Sequence, residues 1–431
     1  MAVKIGLIGT GTVGGGCIEI IQKHKEGFKR HFGIDLELAQ VCSLQRERAE
    51  EYGVADIFTD NFHDVLENPE IDVVVEVIGG TTFARTVVTE ALKAGKHVVT
   101  ANKALMATYG EEIMKLAAEN EREIAFEASV GGGIPIIGPL KHSLIANEIS
   151  SVIGIVNGTT NYMLTRMGED GLTYDDALAE AQAKGFAEAD PTADMDGLDA
   201  AAKIAILSSI AFNSRVTMAD VHTEGIRSLS PVDLATAQEM GYCVKLLAIG
   251  NRTDAGIDVR VHPAMLPLDH PLATVNGVFN AIYAVGDFVG ETMFFGEGAG
   301  AGAAASAVMG DVLEVVRHIQ AGIKPLVGCT CTDSLPFMKI EDTVQRYYLR
   351  CKVVDKPGIL AKMASAFSNH GVSVYSMIQR GADEQANTAE LVYVTHSAKD
   401  SEIMAAIAEM KAMDNVLAEG EEPAVIRLAG K

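Results

Sequence analysis

Tryptophan is absent from this chain of 431 residues, and aromatic residues make up only 6% of it. Any stacking contact in a binding site must therefore come from tyrosine or phenylalanine. Basic residues are also few, because 35 Lys and Arg against 58 Asp and Glu give a formal net charge of −23. Phosphate backbones and anionic membranes repel a protein with such an excess of negative charge. The composition argues against nucleic acid and against a membrane as partners.

Long apolar runs are missing as well. A membrane-spanning helix needs about 18 consecutive apolar residues, and no uninterrupted apolar run is that long. The N-terminus is interpreted as a strand and turn rather than a signal peptide. The six cysteines are scattered, as in cytosolic chains whose thiols stay reduced. Cys329 and Cys331 are too close together for ordinary zinc ligands and are interpreted as structural. These features predict a cytoplasmic protein.

What the sequence does contain is a dinucleotide-binding pattern at its start. An apolar run, Val3–Ile8, is followed by a glycine-rich turn and a helical stretch. In such a unit the first glycine permits a tight turn, the second lets backbone approach a pyrophosphate, and the third allows close packing of the helix. The helix N-terminus then faces the phosphates. The predicted cofactor-binding residues of the loop are Gly9, Thr10, Gly11, Thr12, Val13 and Gly14.

The second strand, predicted at Leu36–Cys42, bears on the choice of cofactor. A site selective for NAD places an acidic residue at the end of this strand to bind the ribose hydroxyls. Here the first positions after Cys42 carry no acid, and Arg46 follows shortly. This favours NADP over NAD, with Arg46 or Arg48 near the 2′-phosphate. The alternative is a solvated arginine on the next helix.

Two further buried strands are predicted at Ile71–Ile78 and His97–Thr100. In a doubly wound sheet the carboxyl ends of these strands line one crevice, where the ligand lies. Thr100 and the following Lys103 are therefore placed near the nicotinamide and the substrate. The alternative for Lys103 is a surface lysine that merely follows a strand.

The most informative stretch lies further along the chain. A helix is predicted over Tyr174–Lys184, followed by Gly185 and an acidic turn, and a second helix starts near Asp196. Asp199 and Lys203 are four residues apart on that second helix, so they share a face that is otherwise Ala and Ile. Either they form an ordinary surface ion pair, or the carboxylates and the lysine serve an ammonium-bearing substrate and proton transfer.

The spacing of residues from Ala181 to Lys203 resembles the signature of the homoserine dehydrogenase family. It includes Gly185-Phe186-Ala187, Asp190-Pro191, Asp194-Met195, Gly197, Asp199 and Lys203. The resemblance implies NAD(P)-dependent interconversion of L-homoserine and L-aspartate 4-semialdehyde, a step of threonine and methionine biosynthesis. It makes Lys203 or Lys103 the group that exchanges the proton, and Glu188 and Asp199 the groups that hold the substrate ammonium, with Asp199 also orienting Lys203.

Other site residues follow from the same resemblance. Gly158 and Thr159 are expected to offer donors to the substrate carboxylate. Gly185 and two glycines of a second Gly-rich element, Gly298 and Gly300, are expected beside the cofactor. The family also holds a monovalent cation, usually sodium, through one carboxylate and three carbonyls. The matching positions here are Glu127, Val130, Gly132 and Ile134. From the residues alone, a Gly-rich domain crossover is the favoured interpretation of this stretch, and the cation rests on the resemblance.

The tail changes character after a segment without periodicity. From Tyr347 to Leu428 the pattern reads as βαββαβ, the ferredoxin-like arrangement. Asp-Lys-Pro-Gly-Ile-Leu resembles the motif that opens the first helix of ACT domains, which implies effector binding at Asp355 and Gly358. Threonine is the effector expected by resemblance. An uncovered sheet edge and the family both suggest a homo-oligomer; a dimerisation module without a ligand is the alternative.

The predicted fold class is α/β with three parts: a Rossmann-type doubly wound domain, an α+β catalytic and dimerisation domain, and a C-terminal ferredoxin-like ACT domain. The predicted bounds are residues 1–130 (completed by helix 303–321), 131–302, a linker over 322–345, and 346–431. The catalytic sheet is expected to be mostly antiparallel. Its predicted strands are Ser151–Val156, Tyr242–Ile249, Gly256–His262, Val275–Ala281 and Phe288–Phe295.

Two other functions stay open at this point. One is a different NAD(P)-dependent oxidoreductase acting on another amino alcohol. A phosphorylating semialdehyde dehydrogenase is disfavoured because its chemistry needs an activated cysteine, and no cysteine is well placed. The other is a non-catalytic amino-acid sensor, in which the first domain binds cofactor without turnover.

Overall fold

A computed structural model describes residues 2–325, 328–383 and 386–430. Positions 1, 326–327, 384–385 and 431, which fall within the predicted first domain, linker and tail, lie outside the described residues. The described chain builds two sheets, one of six strands and one of eleven. Every described helix is too short or too polar to span a bilayer.

The first sheet is the predicted dinucleotide-binding sheet. All its strand pairs are parallel, in the order β3-β2-β1-β4-β5-β6. The order reverses beside β1, which opens a crevice at the carboxyl ends of the strands. The elements are β1 Val3–Ile8, α1 Thr12–Phe32, β2 Leu36–Cys42, α2 Arg46–Glu51, β3 Phe58–Thr59, α3 Phe62–Leu66, β4 Ile71–Glu76, α4 Thr82–Lys93, β5 His97–Thr100, α5 Lys103–Glu119 and β6 Ile124–Ala125.

The middle of the chain contributes helices and the mostly antiparallel strands that were predicted. Helix α9 is buried along nearly its whole length and packs against β7, β9 and β10. The elements are β7 Ile149–Ile155, α6 Gly158–Asp170, α7 Tyr174–Ala183, α8 Thr192–Met195, α9 Leu198–Ala211, β8 His222–Thr223, α10 Pro231–Glu239, β9 Tyr242–Thr253, β10 Gly256–Pro267, β11 Phe279–Gly286, β12 Gly290–Glu297 and α11 Ala301–Ala321. Short 3-10 or π turns lie at Ala55–Ile57, Glu127–Ser129, Pro139–Ser143, Met218–Asp220, Pro271–Thr274 and Ile340–Asp342.

Two predicted strands of this region are wrong in position. The strand predicted at Val275–Ala281 begins only at Phe279, because the carbonyl of Val275 accepts hydrogen bonds from Lys245 Nζ (2.6 Å) and Asn161 Nδ2 (3.1 Å) instead of strand partners. The strand predicted from Phe288 begins at Gly290, since Phe288 is 87% exposed in the preceding turn.

Helix α11 returns to the first sheet and packs along α1. The contact is close, because a Cβ added to Gly16 would lie 2.8 Å from the Cβ of Ala305. Residues Val308, Val312 and Val316 of this helix belong to the same apolar core as the strands β1 and β2. The helix starts at Ala301, two residues before the predicted start.

The tail has the predicted ferredoxin-like order, β17-β13-β15-β14, with α12 and α13 packed together. Its strand β17 also pairs in parallel with β10, through Ala264 opposite Arg427 and Met265 opposite Leu428. The expectation of a free sheet edge therefore fails on this side, because β10 covers it within the same chain. The elements are β13 Val344–Val354, α12 Ile359–Asn369, β14 Val374–Asp383, β15 Thr388–Thr395, β16 Ala398–Lys399, α13 Asp400–Ala412 and β17 Ala424–Leu428.

The predicted linker is more ordered than a spacer. Ile257 of β10 exchanges backbone hydrogen bonds of 2.8 Å with Pro336 and Met338, so part of the linker extends the catalytic sheet. Strand β13 already begins at Val344, within the predicted linker. The proposed domain limits remain predictions.

Candidate active site

A cleft of about 860 Å³ lies between the first sheet and the catalytic helices. The ends of β1, β4 and β5 form one wall, and the N-terminal ends of α6 and α9 form the other. Predicted site residues that line it are Thr12, Val13, Lys103, Gly132, Gly158, Thr159, Gly185, Glu188, Asp199, Lys203, Gly298 and Gly300. One cavity thus joins the cofactor loop to the lysine and carboxylate cluster.

The glycine loop has the geometry that each glycine was predicted to supply. Gly9 has φ +109°, and a Cβ there would lie 2.8 Å from the carbonyl oxygen of Val77. A Cβ on Gly14 would lie 1.9 Å from the carbonyl oxygen of Gly9, so helix α1 can approach only without a side chain. A Cβ on Gly11 would meet nothing within 4 Å. Backbone at Gly11 is therefore open to a ligand, which fits a dinucleotide pyrophosphate.

Two predicted cofactor-binding residues, Thr10 and Arg46, lie near the carboxyl end of the second strand. The Thr10 hydroxyl donates a hydrogen bond of 2.7 Å to the Ser43 hydroxyl, which follows β2. Arg46 starts α2, where its guanidinium contacts Glu50 at 3.3 Å and stacks over the Phe58 ring. Its side chain is 59% exposed, so it could turn toward a ligand at the end of β2.

Asp199 is the centre of the opposite wall. Its Oδ1 lies 2.6 Å from Lys103 Nζ, and its Oδ2 lies 2.6 Å from Lys203 Nζ. Lys203 also donates to the carbonyl oxygen of Val156 at 2.5 Å. The Lys203 side chain is 11% exposed and that of Lys103 is 45% exposed. The alternative of an ordinary surface ion pair is therefore wrong, because Asp199 is the buried hub that joins Lys103 and Lys203.

Burial and neighbouring charges shift the pKa values of Asp199 and Lys103 in this hub. Burial alone would raise the pKa of Asp199, but the ammonium groups of Lys203 and Lys103 outweigh it and lower that pKa. Burial would likewise lower the pKa of Lys103, yet Asp199, with Asp194 and Glu188 behind it, raises it. Asp199 therefore stays an anion and Lys103 an ammonium at neutral pH.

Sequence reasoning missed two residues of this wall. Asn157 caps α6 and donates through Nδ2 to Asp194 Oδ1 (2.7 Å) and to Asp199 Oδ2 (2.9 Å). Asp194, interpreted from sequence as a turn residue, lines the cleft, and burial, with Asp199 nearby, raises its pKa. The available signal was the Asn before Gly158 at the end of a strand. Asp190, by contrast, does what a turn residue does and accepts from the Thr192 amide at 3.1 Å.

Only some of the groups predicted to donate hydrogen bonds to the substrate carboxylate remain available for a ligand. Gly158 is the first residue of α6, so its amide is among those a helix leaves without an internal partner. The Thr159 hydroxyl already donates to the carbonyl oxygen of Phe186 at 2.7 Å. Glu188 is exposed and lines the cleft, and Gly185 ends α7 with φ +75°.

Thr100 lies behind the cleft rather than in it. It is fully buried, and its hydroxyl donates to the Glu76 carboxylate at 2.6 Å and accepts from the Asn102 amide at 3.0 Å. Glu76, also fully buried, accepts from the Ile78 amide at 2.8 Å, and burial raises its pKa. A cofactor contact from the Thr100 side chain is therefore not supported, and Thr100 with Glu76 shapes the loops around Lys103.

Two further polar atoms face the cleft without partners among the described residues. Ser129 Oγ and Asn280 Oδ1 are buried, and neither atom forms a hydrogen bond with a described residue. Buried polar atoms of this kind are costly unless a ligand or water satisfies them. Asn280 lies against the loop that carries Gly298, since a Cβ on Gly298 would lie 1.9 Å from its Nδ2. Both residues line the cleft, so they are candidate cofactor contacts that the sequence did not reveal.

The predicted cation ligands surround a tight turn. The Glu127 carboxylate accepts from the amides of Ile136 (2.5 Å), Ile137 (2.8 Å) and Gly138 (2.5 Å). Among the described residues, no backbone amide donates to the carbonyl oxygens of Val130, Gly132 and Ile134, and all three residues are buried.

The predicted effector residues lie away from this cleft, where β13 meets α12. Asp355 is exposed, and its amide donates to the carbonyl oxygen of Asn387 at 2.9 Å. Gly358 precedes α12 with φ +93°, and a Cβ there would meet nothing within 4 Å.

A parallel sheet with an open glycine loop faces a lysine–carboxylate hub across one cleft. The loop suits a dinucleotide cofactor and the lysines suit proton exchange, and the oxidation of an alcohol by hydride transfer needs both. The chain is accordingly an oxidoreductase of the NAD(P)-dependent class.

Comparison with known proteins gives the family. The family model of homoserine dehydrogenase matches residues 135–313, its NAD-binding domain matches 9–127, and the ACT domain matches 347–411. The chain belongs to the homoserine dehydrogenase family, and the predicted function, fold class and ACT domain are confirmed.

Individual relatives agree along their whole length. A homoserine dehydrogenase of Synechocystis sp. is 44% identical, covering 99% of this chain and 100% of the relative. One of Pseudomonas aeruginosa is 43% identical over 96% of each chain. The crystal structure of a Thiobacillus denitrificans homoserine dehydrogenase superposes with a TM-score of 0.94 at 38% identity, covering 100% of this chain and 98% of that one. A hyperthermophilic archaeal homoserine dehydrogenase mutant in complex with NADPH superposes at 0.64 with 29% identity, over 76% of this chain and 100% of that one.

Proposed function

We propose that the cleft interconverts L-homoserine and L-aspartate 4-semialdehyde. The observation that carries this proposal is the pair of lysine ammonium groups held 2.6 Å from the two oxygens of one buried carboxylate, Asp199, across the cleft from the glycine loop. When bound, the nicotinamide takes up or supplies the hydride of C4. The chain itself must bind the amino acid, orient it and exchange the hydroxyl proton.

Lys203 is our first choice for the proton exchange. It is the more buried lysine, and the Val156 carbonyl and Asp199 together fix the direction of its ammonium. Desolvated, fixed donors stabilise a developing alkoxide more than mobile ones do. Lys103 stays protonated beside Asp199, which suits a fixed positive charge. Lys103 is nevertheless the alternative for the proton step, and the two roles are separable by experiment.

The substrate ammonium is assigned to Glu188 and Asp194. A carboxylate has about four acceptor positions, and Asp199 already accepts from Lys103, Lys203 and Asn157. Asp199 therefore acts mainly by holding the two lysines. The substrate carboxylate is assigned to the free amides at the start of α6, at Gly158 and Thr159, where the helix dipole favours an anion.

The experiment that tests the proposal is a turnover assay. Purified protein with L-homoserine and NADP or NAD is expected to produce reduced nicotinamide. Another amino alcohol of similar size, such as L-serine, serves as the matched control. Cofactor binding without turnover of L-homoserine would contradict the substrate assignment.

We infer that NADP is the preferred cofactor, since the first positions after β2 carry no acid and Arg46 follows them. The fit of a dinucleotide is supported by the open backbone at Gly11 and the unpartnered Ser129 and Asn280. A hydrogen bond to a charged group contributes about 1.5–3 kcal/mol, which corresponds to about 10–100-fold in affinity.

Arg46→Ala should therefore lower kcat/KM for NADP about 10–100-fold and leave that for NAD nearly unchanged. Steady-state rates with each cofactor measure this. Arg48→Ala is the matched control, because Arg48 lies on the same short helix and pairs with Glu51 at 3.0 Å. The larger effect in Arg48→Ala would contradict the role of Arg46.

We further propose that Glu127 and the carbonyl oxygens of Val130, Gly132 and Ile134 hold a monovalent cation, sodium. The three buried carbonyls lack backbone donors, and the Glu127 carboxylate accepts three amides, which leaves about one acceptor position. An all-oxygen site suits a hard cation. Sodium should raise the thermal midpoint relative to an organic ammonium chloride at equal ionic strength, and Glu127→Gln should remove that difference. Equal midpoints in both salts would refute the site.

The ACT domain is proposed to regulate the enzyme, with threonine as the effector. Support comes from a buried junction between the ACT domain and the catalytic part of the chain. Arg427 of β17 contacts Glu224 at 2.7 Å and Asp400 at 2.8 Å, and Arg350 contacts the fully buried Asp233 of α10 at 2.6 Å. Hydrogen bonds from His222 and Arg427 outweigh burial and lower the pKa of Glu224 to about 2.

The segment that carries Glu224 continues to the catalytic wall. The Ile226 amide donates to the Met195 carbonyl at 2.9 Å, and a Cβ on Gly225 would lie 2.0 Å from that same oxygen. Met195 directly follows Asp194, so a shift of β17 can reach the acidic turn. Deleting the tail would also strip β10 of its neighbour, so point substitutions test regulation better.

Asp355→Ala is expected to weaken threonine inhibition about 10–100-fold, because one charged contact to the effector is lost. Rates at increasing threonine, each relative to the uninhibited rate of the same variant, give the inhibition constant. Asp414→Ala is the matched control, since Asp414 is another exposed aspartate of the same domain. Equal inhibition of wild type and Asp355→Ala would contradict the predicted effector site.

A homo-oligomer is also proposed, with the end strand β12 as one contact. Met293 and Phe295 on its outer side are 39% and 54% exposed, and open sheet edges favour pairing. Phe295→Glu should lower the mass measured by light scattering, whereas an unchanged mass would count against this edge.

A cytoplasmic location is inferred as well, supported by six free cysteines. Cell fractionation tests this location.

A further inference from the structure

The thiols of Cys329 and Cys331 form a pair that the reaction does not use. They are separated by one residue after α11, and both line the same pocket. Cys329 is exposed and Cys331 is half-buried. Three of the other cysteines, Cys17, Cys42 and Cys351, are buried, so reagents in solution meet this pair first.

A fixed positive charge lies beside the pair. A pocket between α5 and α9 is lined by both cysteines together with Arg215 and Lys141. Arg215 is fixed by the carbonyl oxygens of Met106 (3.3 Å) and Ala107 (3.1 Å). Reactive cysteines are typically found in such partly exposed, positively charged places.

Thiol–disulfide exchange needs one cysteine that attacks first as a thiolate and a second cysteine that attacks later, and the two members of the pair differ in this way. The neighbouring Cys331 thiol lowers the pKa of the Cys329 thiol against the opposing effect of burial, and Arg215 adds to this lowering. The Cys331 thiol itself donates a hydrogen bond to the Ser209 carbonyl oxygen at 3.5 Å, and the proximity of Cys329, together with burial, raises the pKa of Cys331. Cys329 thus carries the thiolate and Cys331 keeps its proton.

We propose that Cys329 and Cys331 form a thiol–disulfide exchange site for small soluble disulfides. The Cys329 thiolate attacks one sulfur of the disulfide, the sulfur–sulfur bond breaks, and one thiolate leaves and takes a proton from water. Cys331 then loses its proton, attacks the Cys329 sulfur and expels the second thiol. The cysteine pair is oxidised by two electrons to a disulfide, and the small disulfide is reduced to two thiols.

The chain geometry permits the second step. Cα atoms two residues apart are at most about 7.6 Å apart, and a disulfide spans about 4.4–6.8 Å between Cα atoms. A metal site is the less suitable use of these thiols. Among the described residues, no group of three or more His, Cys, Asp and Glu side chains is placed to hold a metal ion.

The test treats the full-length protein with oxidised glutathione near neutral pH and follows intact mass and peptide maps. The wild type should lose two hydrogens, with the bond mapped to Cys329 and Cys331. Cys331→Ser should instead accumulate one glutathione on Cys329, and Cys329→Ser should form neither product. Cys243→Ser, which changes a half-buried thiol of β9, is the matched control and should behave as wild type. Equal modification of the other cysteines, or no adduct on Cys329 in Cys331→Ser, would overturn the proposal.

A second readout does not depend on the disulfide itself. Alkylation of Cys329 by iodoacetamide at neutral pH should be at least about 10-fold faster than that of Cys243, because the thiolate is the nucleophile. In Cys331→Ala, which removes the neighbouring donor, this alkylation should slow at neutral pH and need a more alkaline pH. Alkylation of Cys329 with the same pH dependence in both proteins would contradict the role of Cys331.

Discussion

Replacing Lys203 with methionine is expected to lower kcat by about 10²–10⁴-fold, the usual contribution of a general acid or base, while cofactor affinity stays close to that of the wild type. Methionine keeps the length of the side chain and removes only the ammonium. Asp199 still accepts from Lys103 and Asn157 in this variant, so the carboxylate is not left as an unpaired buried charge. Initial rates and cofactor fluorescence titration measure the two quantities separately.

The matched comparison is Lys103→Met, which removes the second ammonium from the same carboxylate. If Lys103 supplies charge rather than the proton step, this variant should raise KM for homoserine more than it lowers kcat. Lys93→Met, at an exposed position of α4, should leave both values unchanged. A near-normal kcat in Lys203→Met together with a collapse in Lys103→Met would reverse the assignment.

Gly11→Ala should lower cofactor affinity about 10–100-fold with little change in stability. The φ of Gly11 is −65°, which alanine adopts freely, and its Cβ would meet nothing within 4 Å. The methyl group would instead occupy the space through which backbone amides reach a pyrophosphate, and each charged hydrogen bond lost costs about 1.5–3 kcal/mol. Isothermal titration with NADP and a thermal melt give both quantities.

Gly14→Ala should behave in the opposite way and destabilise the fold itself. Its Cβ would lie 1.9 Å from the carbonyl oxygen of Gly9, so the loop or α1 must move, at a cost of about 1–3 kcal/mol. The melting temperature should fall even without cofactor. A stable Gly11→Ala variant with normal affinity for NADP would refute the predicted role of the loop.

Local signals in the sequence were sufficient for much of this account. The glycine spacing after Val3–Ile8 predicted the loop because backbone packs closely against Gly9 and Gly14, while Gly11 leaves backbone open to a ligand. The four-residue spacing of Asp199 and Lys203 placed both on one face of α9, and the apolar face around them predicted burial. Helix periodicity fixes such relations without knowledge of the rest of the chain.

Contacts between distant segments were out of reach of the same reasoning. Asn157 and Asp194 meet across 37 residues, and nothing in either local pattern reveals their pairing. The side chain of Thr100 turned inward because Glu76, on a neighbouring strand, accepts its hydroxyl. The pairing of β10 with β17 joins two parts that were predicted as separate domains. Such contacts depend on tertiary packing, which overrides local preference.

The most direct test of the central claim is to follow the hydride itself. Protein is incubated with oxidised cofactor and L-homoserine carrying deuterium at C4, and the reduced cofactor is analysed by mass spectrometry. We expect one deuterium on each reduced nicotinamide and no transfer above background in Lys203→Met. Reduced cofactor without deuterium, or no reduction by the wild type, would contradict hydride transfer between homoserine and the nicotinamide in this cleft.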